Sequence, residues 1–534
     1  MIPCPKSVER KSGNLILSKL TLFGESKVCN FAKTYLNQFL QQEVEILMQN
    51  NANIVFIYAE NLKQGGYHLI VDDKCVISYS DFEGVRNALS TLIQIAKSVD
   101  GALSIPCQVI NDYPDANFRS VMIDLARGLP DINRLKQDLK MLSLAKCNKI
   151  HLHLMDSDGL CYQSNVITIN SSIRGTNRYT KEEMRDIADY CSLLGLEIIP
   201  EIEFPAHASL VTKNYPQLLC QTNLPNQSGW TVCIGNENVY TVFENLVNEV
   251  CGLIPSTYFH IGGDEHKFPD LPKFNLYCHW NSCKVCRKKM QKEGLLNETE
   301  LFYYSVRRMN EIVKKQGRKL ILWNDELDVS KPINIPKDCI VQFWRVANKN
   351  RGPREGCSYS KFLQQGFNVI CSPFEYCYID LEEYANPEKT ASFNYKKYDE
   401  SQNLTGNVLG VETCAWEYGN PEYSHYLYSF IPSAVLLLCK AWDRNDVIYN
   451  KTYRLFLTKL IFGVETPIDY DVFELFGSIM PPRINAKPSY VSLQNELIDE
   501  KVLQRHQSVL TNMRFTYNER YKKQILNLIT ELSN

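Results

Sequence analysis

Apolar runs and turn residues in the first part of the chain predict a small α/β domain. The runs Ala52–Tyr58 and Tyr67–Tyr79 are rich in valine, isoleucine and tyrosine, which favour strands. A pattern with helical spacing covers Phe82–Ser98. The segment Tyr113-Pro114-Asp115 has the composition of a linker, because proline and aspartate favour turns. We therefore place an N-terminal α/β domain at residues 1–113.

From Phe118 onward, strand patterns alternate with helix patterns such as Ile132–Ala145, Lys181–Leu194 and Glu298–Gln316. Eight such units predict an α/β fold of the (β/α)8 TIM barrel type over residues 117–446. A doubly wound open sheet is the alternative, although no glycine-rich phosphate loop follows the first strand. The predicted strands are Ser120–Leu125, Lys149–Met155, Glu197–Glu203, Tyr258–Gly262, Lys319–Trp323, Ile340–Trp344, Asn368–Cys371 and Val408–Glu412.

The alternation stops near Asp446, and the rest of the chain has helical patterns. The longest of them is polar and amphipathic and covers Asn495 to Leu532. We predict that residues 447–534 form a C-terminal helical extension that packs on the barrel.

Charge and hydropathy exclude some classes of partner. The 58 basic and 60 acidic residues give a net charge of -2, so no large field of one sign is available to attract nucleic acid. The longest apolar run near the C-terminal end, Ser433–Cys439, is far too short to span a membrane. The first residues lack the apolar segment of a secretory signal. The 19 scattered cysteines are typical of reduced thiols. We expect a soluble, cytoplasmic protein, with a secreted or lysosomal one as the alternative if a leader has been removed.

Polar and aromatic residues recur where the predicted strands end. In a TIM barrel these ends lie at one rim, where the chemistry takes place. The side chains are therefore expected to surround a single pocket. They are Arg127, Asp156, Glu201, Glu203, His207, Asp264, Glu265, Trp323, Asp325, Trp344, Tyr378, Asp380, Trp416 and Glu417.

The string His260-Ile261-Gly262-Gly263-Asp264-Glu265 gives the sharpest signal. Its glycines allow a tight turn and close access to the backbone, and two adjacent carboxylates are costly to bury without a function. A strand-end turn with two solvated acids is the alternative. An ordinary retaining glycosidase needs two carboxyl groups about 5 Å apart across the bond that it cleaves, a placement that chain neighbours can hardly achieve. One acid can donate a proton while the other orients a nucleophile that belongs to the substrate.

Histidines appear in two further strings. His151 and His153 alternate along one face of a predicted strand that ends at Asp156, so they form a polar face at the barrel mouth or, alternatively, part of a zinc site. His207 follows the acid-rich strand end at Glu203 and either bridges to another acid or is only a satisfied part of the fold.

A cysteine pair, Cys283-x-x-Cys286, has the spacing of half a zinc site, with Cys278 and His279 just upstream. It lies in the loop after the fourth predicted barrel strand. A complete structural site needs four ligands, and the sequence leaves open whether these residues bind metal.

Together, these motifs resemble the β-N-acetylhexosaminidases of glycoside hydrolase family 20. The resemblance covers residues 117 to 445, and the opening IPCPKSVERKSGN extends it to the N-terminal domain. It implies a retaining, exo-acting enzyme that releases terminal β-linked GlcNAc or GalNAc from a glycan by substrate-assisted catalysis, without a cofactor or a catalytic metal. Release of a disaccharide or of a modified sugar is an alternative, as is a non-catalytic glycan-binding protein on the same barrel. Loops 268–296 and 345–360 would decide the substrate. The oligomeric state stays open.

The resemblance also implies roles for individual residues. Glu265 is the general acid and base, Asp264 orients the 2-acetamido group, and Tyr378 donates to the acetamido oxygen. Asp156 and His207 tune the proton affinity of Glu265. The implied substrate-binding residues are Arg119 for the 3- and 4-hydroxyls, Trp323, Trp344 and Trp416 for the aromatic walls, and Asp380 and Glu417 for the outer hydroxyls.

The chain departs from the family pattern at four positions, none of which removes a proton-transfer group. Leu152 stands where a tryptophan is common, Ala206 where glycine is common, and Gly128 where histidine is usual. Glu417 follows Trp416 directly, whereas the family usually has one residue between them.

Overall fold

Two β-sheets organise the chain, one open and one closed on itself. A computed structural model describes residues 1–169, 178–222, 229–266, 278–346, 359–379, 387–395, 406–418 and 427–443, together with residues 504, 507, 508, 526 and 530. The predicted helical extension at 447–534 lies outside the described residues except for those five positions.

The open sheet belongs to the N-terminal domain. Its strands are β1 Ser7–Leu17, β2 Leu20–Phe23, β3 Val44–Ile46, β4 Ile54–Tyr58, β5 Tyr67–Val71, β6 Cys75–Tyr79, β7 Lys97–Val99 and β8 Ala102–Asp112. The strand order is β1-β8-β5-β6-β4-β2-β3, with β7 paired to β8. Helices α1 Ser26–Phe39 and α2 Phe82–Ile95 pack together beside the sheet.

Two predictions for this domain need correction. The single run Tyr67–Tyr79 is a hairpin, because the chain turns at Asp72 and the antiparallel strands β5 and β6 pair with each other. The helix expected over Phe82–Ser98 ends at Ile95, since the next residues extend and pair with β8 as β7. The helix begins where predicted, with the Asp81 carboxylate accepting the Gly84 N–H at 2.7 Å.

The closed sheet is a barrel of eight parallel strands, as predicted. Each strand pairs with its neighbours in chain order, and β17 returns to pair with β9, so the barrel has no free edge and the open-sheet alternative is excluded. A short strand, β11 Gly159–Leu160, pairs with β10 in the antiparallel direction. The barrel strands are β9 Phe118–Asp124, β10 Lys149–Asp156, β12 Glu197–Ile202, β13 Tyr258–His260, β14 Lys319–Trp323, β15 Ile340–Phe343, β16 Asn368–Cys371 and β17 Val408–Ala415.

Amphipathic helices surround the barrel and bury their apolar faces on it. Helix α4 begins at a capping box in which Thr180 and Glu183 satisfy each other's backbone N–H groups. No helix in the described segments is both long and apolar enough to cross a bilayer. The helices are α3 Ile132–Leu144, α4 Lys181–Leu193, α5 Ser209–Asn214, α6 Glu237–Leu253, α7 Lys284–Glu293, α8 Glu298–Lys315, α9 Ser360–Gln364, α10 Phe374–Cys377, α11 Pro387–Ser392 and α12 Leu427–Trp442.

Buried polar contacts join the N-terminal domain to the barrel. The Lys146 ammonium, just after α3, lies 2.8 Å from the Asp112 carboxylate at the end of β8, and both side chains are fully buried. The Trp442 indole N–H donates to the other Asp112 oxygen at 2.8 Å. These contacts lie near the amino ends of the barrel strands, so they leave the opposite rim free for a site.

Candidate active site

The turn after β13 presents two carboxylates at the carboxyl end of the barrel. Gly262 has φ +67°, and a Cβ there would lie 1.9 Å from Glu203 Oε2, so a larger residue would clash. Glu265 has φ +47°, a conformation that non-glycine residues rarely adopt and that is often found at functional sites. The Asp264 side chain is 10% exposed and the Glu265 side chain 18% exposed. The glycines therefore allow both acids to reach the mouth.

His207 links these acids to the end of β10. Its Nδ1 lies 3.1 Å from Asp156 Oδ2, and its Nε2 lies 3.3 Å from Glu265 Oε2 and 3.5 Å from Asp264 Oδ2. Burial alone would lower the pKa of His207, but the Asp156 and Asp264 carboxylates outweigh it and raise that pKa well above its usual value. His207 is therefore an imidazolium held between three carboxyl groups, next to Glu265.

Asp264 and Glu203 form a pair of carboxyl groups with perturbed proton affinity. Burial raises the pKa of Asp264 to about 7; the Asp325 and Glu265 charges also raise it, while His207 opposes the shift. Burial and the Asp264 charge raise the pKa of Glu203 well above its usual value. Glu203 and Asp264 therefore share a raised proton affinity, to which a hydrogen bond between their side chains contributes. Asp264 Oδ1 is a buried acceptor without a partner in the described part of the chain.

The backbone of Glu265 is held from two sides. Its N–H donates to Asp325 Oδ2 at 3.0 Å, and its carbonyl accepts the Trp230 indole N–H at 2.9 Å. Asp325 Oδ1 also accepts the Trp344 indole N–H at 3.0 Å. The Trp230 ring lies 4.1 Å from the His207 ring. Trp230 was not predicted, because it lies in a loop where no strand pattern marks it.

Aromatic rings cluster beside the acids at this rim. Trp344 and Tyr378 stack with centroids 5.9 Å apart and an interplanar angle of 13°, and Trp416 lies 6.0 Å from Tyr378. Trp323 lies 6.0 Å from Trp416 but is only 1% exposed, and its indole N–H donates to Glu201 at 2.9 Å. Trp323 is thus the floor below the other rings. The Trp416 indole N–H is buried without a hydrogen-bond partner among the described residues.

Arg127 brings a positive charge to the same rim. Its guanidinium lies 3.1 Å from Asp124 Oδ2, 2.6 Å from Asp156 Oδ2 and 3.5 Å from Asp158 Oδ2. It also lies 5.2 Å from the Trp416 ring centroid. The arginine therefore connects the acid cluster to the aromatic side of the pocket.

Family models account for both described domains. The model "Glycosyl hydrolase family 20, catalytic domain" matches residues 117–444, and the model "Glycosyl hydrolase family 20, domain 2" matches residues 1–113. The chain belongs to glycosyl hydrolase family 20.

Two relatives of this family-20 glycoside hydrolase are beta-hexosaminidases. It is 29% identical to a beta-hexosaminidase of Porphyromonas gingivalis over 430 residues, 73% of this chain and 53% of that protein. It is 26% identical to a beta-hexosaminidase of Vibrio furnissii over 463 residues, 78% of this chain and 72% of that protein. The match thus spans about half the length of the first relative and about three quarters of the second.

Solved structures share the fold. A beta-N-acetylhexosaminidase from Bacteroides fragilis has a TM-score of 0.73 and 24% identity, covering 89% of this chain and 96% of its own. A GH20 exo beta-N-acetylglucosaminidase from Vibrio harveyi, solved with N-acetylglucosamine, has a TM-score of 0.70 and 20% identity, covering 84% of this chain and 74% of its own.

One site prediction for this family-20 chain is wrong. Arg119 is the second residue of β9 and lies five residues before Asp124, about 17 Å along the strand from the rim. Its guanidinium pairs with Glu83 of α2 and donates to the carbonyls of Lys146 at 3.0 Å and Ala116 at 2.7 Å. Arg119 therefore joins the two domains and cannot hold sugar hydroxyls. The direction of β9 distinguishes the two arginines, because Arg119 lies near the start of the strand and Arg127 follows its end at the rim.

Of the remaining predicted residues, Glu417 lies at the rim and Asp380 lies outside the residues that the structure describes. Glu417 has φ +58°, and its N–H donates to Asp124 Oδ2 at 2.9 Å, which places it at the mouth. Asp380 lies outside the described residues, as do positions 267–277 and 347–358 of the loops expected to decide the substrate.

The histidines of β10 are paired with acids inside the barrel. His151 Nδ1 lies 2.9 Å from Glu412, and His153 contacts Glu201 through Nδ1 and Asp156 at 3.2 Å through Nε2. Burial lowers both histidine pKa values, but the carboxylates outweigh it and raise them to about 9 and about 10. The carboxylate partners of both rings inside the barrel fit the polar-face interpretation.

Proposed function

We propose that this chain is an exo-acting retaining β-N-acetylhexosaminidase that releases terminal β-linked GlcNAc or GalNAc by substrate-assisted catalysis. The observation that carries the proposal is the position of the two acids. Asp264 and Glu265 approach the same His207 nitrogen, at 3.5 and 3.3 Å, so they lie on one side of the pocket. A carboxylate nucleophile would have to face the general acid across the sugar.

In the first step, the acetamido oxygen of the substrate attacks the anomeric carbon while Glu265 protonates the leaving oxygen. Asp264 Oδ1, the acceptor without a partner among the described residues, receives the acetamido N–H and stabilises the positive charge that grows on the cyclised group. Tyr378, whose ring stacks on Trp344, donates to the acetamido oxygen in this proposal. The product of this step is an oxazolinium-like ring.

In the second step, water attacks the anomeric carbon from the face that the leaving group has vacated and opens the ring, and Glu265 now acts as the base. The configuration is therefore retained. His207 keeps Glu265 oriented, and Asp156 fixes the far nitrogen of His207 at 3.1 Å. Two backbone contacts, from Asp325 and Trp230, hold Glu265 in its strained conformation in both steps.

Binding of the sugar's outer hydroxyls is assigned to Arg127 in place of Arg119. The Arg127 side chain is 16% exposed at the rim, and its guanidinium can donate to hydroxyl oxygens while it stays paired with Asp156. Glu417 is beside it, because both contact Asp124. The role of Asp380 stays a prediction.

The cysteines favour a reducing compartment, such as the cytoplasm, as the place where the protein acts. No disulfide joins the 18 cysteines that the structure describes, and most of them are buried. Buried free thiols are typical of proteins kept under reducing conditions.

The deciding experiment compares hydrolysis of 4-nitrophenyl N-acetyl-β-glucosaminide with that of the matching β-glucoside. We expect cleavage of the acetamido substrate alone, and its loss in Glu265→Gln. Glu311→Gln, an exposed change on α8, is the matched control and should keep wild-type activity. A thiazoline analogue of N-acetylglucosamine should inhibit strongly because it mimics the cyclised intermediate.

Three other results would contradict the proposed function or favour one of its alternatives. Equal cleavage of the β-glucoside would contradict substrate assistance, since that sugar has no acetamido group. Binding of N-acetylglucosamine without cleavage of any substrate would favour a glycan-binding protein. Release of disaccharides from a longer oligosaccharide would favour the disaccharide-releasing alternative.

A further inference from the structure

Four buried cysteines from distant parts of the chain meet beside the active-site loops. Their Sγ atoms all lie within 4.8 Å of one another, and that of Cys233 lies 3.5 Å from those of both Cys283 and Cys286. The four side chains are at most 6% exposed. The group, here called the cysteine cluster, consists of Cys220, Cys233, Cys283 and Cys286.

We propose that the cysteine cluster binds a structural Zn²⁺ ion. Tetrahedral zinc with sulfur ligands at about 2.3 Å places neighbouring sulfurs about 3.8 Å apart. The observed separations of 3.5 Å, within an overall spread of 4.8 Å, match that arrangement. A disulfide would need about 2.0 Å between two sulfurs. Each thiol that binds the ion releases its proton to solvent, so zinc replaces up to four protons.

Local structure on the α7 side suits thiolate ligands. Cys283 is the N-cap of α7 and Cys286 lies three residues later, so both ligands stand on the first turn, where free backbone N–H groups and the helix dipole favour negative charge. The two-residue spacing between them is typical of zinc sites. The same helix carries Lys284 and Arg287, which reduce the net negative charge of a four-thiolate site.

The other two ligands come from the loop that follows β12. Gly235 lies two residues after Cys233, and a Cβ at that glycine would lie 2.7 Å from the Cys286 Cα. Only glycine therefore lets this loop pack directly against the start of α7. On the other side, the Gln221 carbonyl, next to Cys220, accepts the Lys284 N–H at 3.1 Å. These backbone contacts hold the loop against α7, where the four sulfurs lie within 4.8 Å of one another.

The position of the site indicates its purpose. The loop that carries Cys220 and Cys233 also carries His207 and Trp230, whereas Cys283 and Cys286 follow the turn that carries Glu265. A zinc ion would therefore tie together the two loops whose residues meet at the active site. This inference does not depend on the proposed reaction, because metal content is measured without a substrate.

The cluster differs from the one that the sequence suggested. Cys283 and Cys286 are retained, but Cys278 is not a member and its sulfur lies 3.9 Å from Glu298. Cys220 and Cys233 take the places of Cys278 and His279. The two new ligands lie 63 and 50 positions before Cys283 in the chain, so no local spacing marks them.

The test is the zinc content of the purified full chain, with any affinity tag removed and after dialysis against a weak chelator. Elemental analysis by mass spectrometry is expected to give one zinc ion per chain. Cys283→Ser with Cys286→Ser should lose at least nine tenths of that zinc and melt at a lower temperature. Cys278→Ser, the matched control, should keep it.

A second measurement on the wild type guards against a variant that fails to fold. Chain produced with Co²⁺ in place of zinc should show the strong visible absorption of a tetrahedral cobalt site and the near-ultraviolet charge-transfer bands of several thiolates. A folded wild-type chain without metal would overturn the proposal, as would zinc retained in the double variant. Disulfides among the four cysteines, found by peptide mapping of the freshly purified chain, would overturn it as well.

Discussion

Asp325→Asn tests how the fold supports Glu265, the proposed general acid. The Asp325 carboxylate accepts the Glu265 N–H through one oxygen and the Trp344 indole N–H through the other, both at 3.0 Å. Asparagine has nearly the same shape but offers only one acceptor oxygen. Its amide nitrogen would face one of the two donors, so one buried N–H would lose its partner.

The expected loss follows from the cost of a buried donor without a partner, about 1–3 kcal/mol. If the turn moves to relieve that cost, Glu265 leaves the position from which it reaches the leaving oxygen. With about 1.4 kcal/mol for each tenfold change in rate, kcat/KM should fall about 5- to 150-fold. The melting temperature should change little more than in Asp328→Asn, the matched control on the same loop, whose carboxylate caps Ser330.

The dependence of activity on pH is an independent test of the same variant. Burial first, and then the Asp325 charge, raise the pKa of Asp264, which is about 7 in the folded chain. Asp264 must be ionised to stabilise the positive acetamido nitrogen, so activity rises with pH through that pKa. Removing the Asp325 charge should move this rise to lower pH. A variant with kcat/KM within twofold of wild type and an unmoved profile would refute the reasoning.

Two further predictions concern the arginines and the barrel histidines. Arg119→Met should lower the free energy of unfolding by up to about 3–5 kcal/mol, because it removes the fully buried arginine of an ion pair with Glu83, and should leave kcat/KM of the folded enzyme unchanged. Arg127→Lys should lower kcat/KM about 10- to 150-fold through lost charge-assisted hydrogen bonds; the opposite pattern in the two variants would contradict the reassignment. The pKa values of His151 and His153, about 9 and about 10, lie above the unfolded value of about 6.5 because carboxylates outweigh burial. Their stabilisation is complete below about pH 6.5 and is lost as the pH rises through 9 to 10, so thermal unfolding should show the melting temperature falling over that window, less steeply in His153→Gln.

Much of the barrel could be predicted because its signals are local. The predicted barrel strands coincide with the observed ones to within a few residues, since buried parallel strands appear as short apolar runs. The turn that carries Asp264 and Glu265 is also local, because its two glycines and two acids are consecutive. Strand ends of a parallel barrel share one rim, so the order of predicted strands was enough to group these acids with His207 and Tyr378.

Errors arose where a short pattern fits more than one arrangement. The run Tyr67–Tyr79 has the composition of one strand, and only its pairing into a hairpin shows that the chain turns at Asp72. Arg119 and Arg127 lie close together in sequence, but the length and direction of β9 place them at opposite ends of the barrel.

The sequence by itself determined the alternation of strands and helices and the turn that carries Asp264 and Glu265, because each depends on residues that are close together in the chain. Only the tertiary structure decided which arginine reaches the rim, that Trp230 and Asp325 hold the Glu265 backbone, and that Cys220 and Cys233 join Cys283 and Cys286. The physical reason is that barrel closure and loop packing bring together side chains from separate βα units. Their meeting depends on strand register and on close backbone approaches, which leave no periodic trace in the sequence.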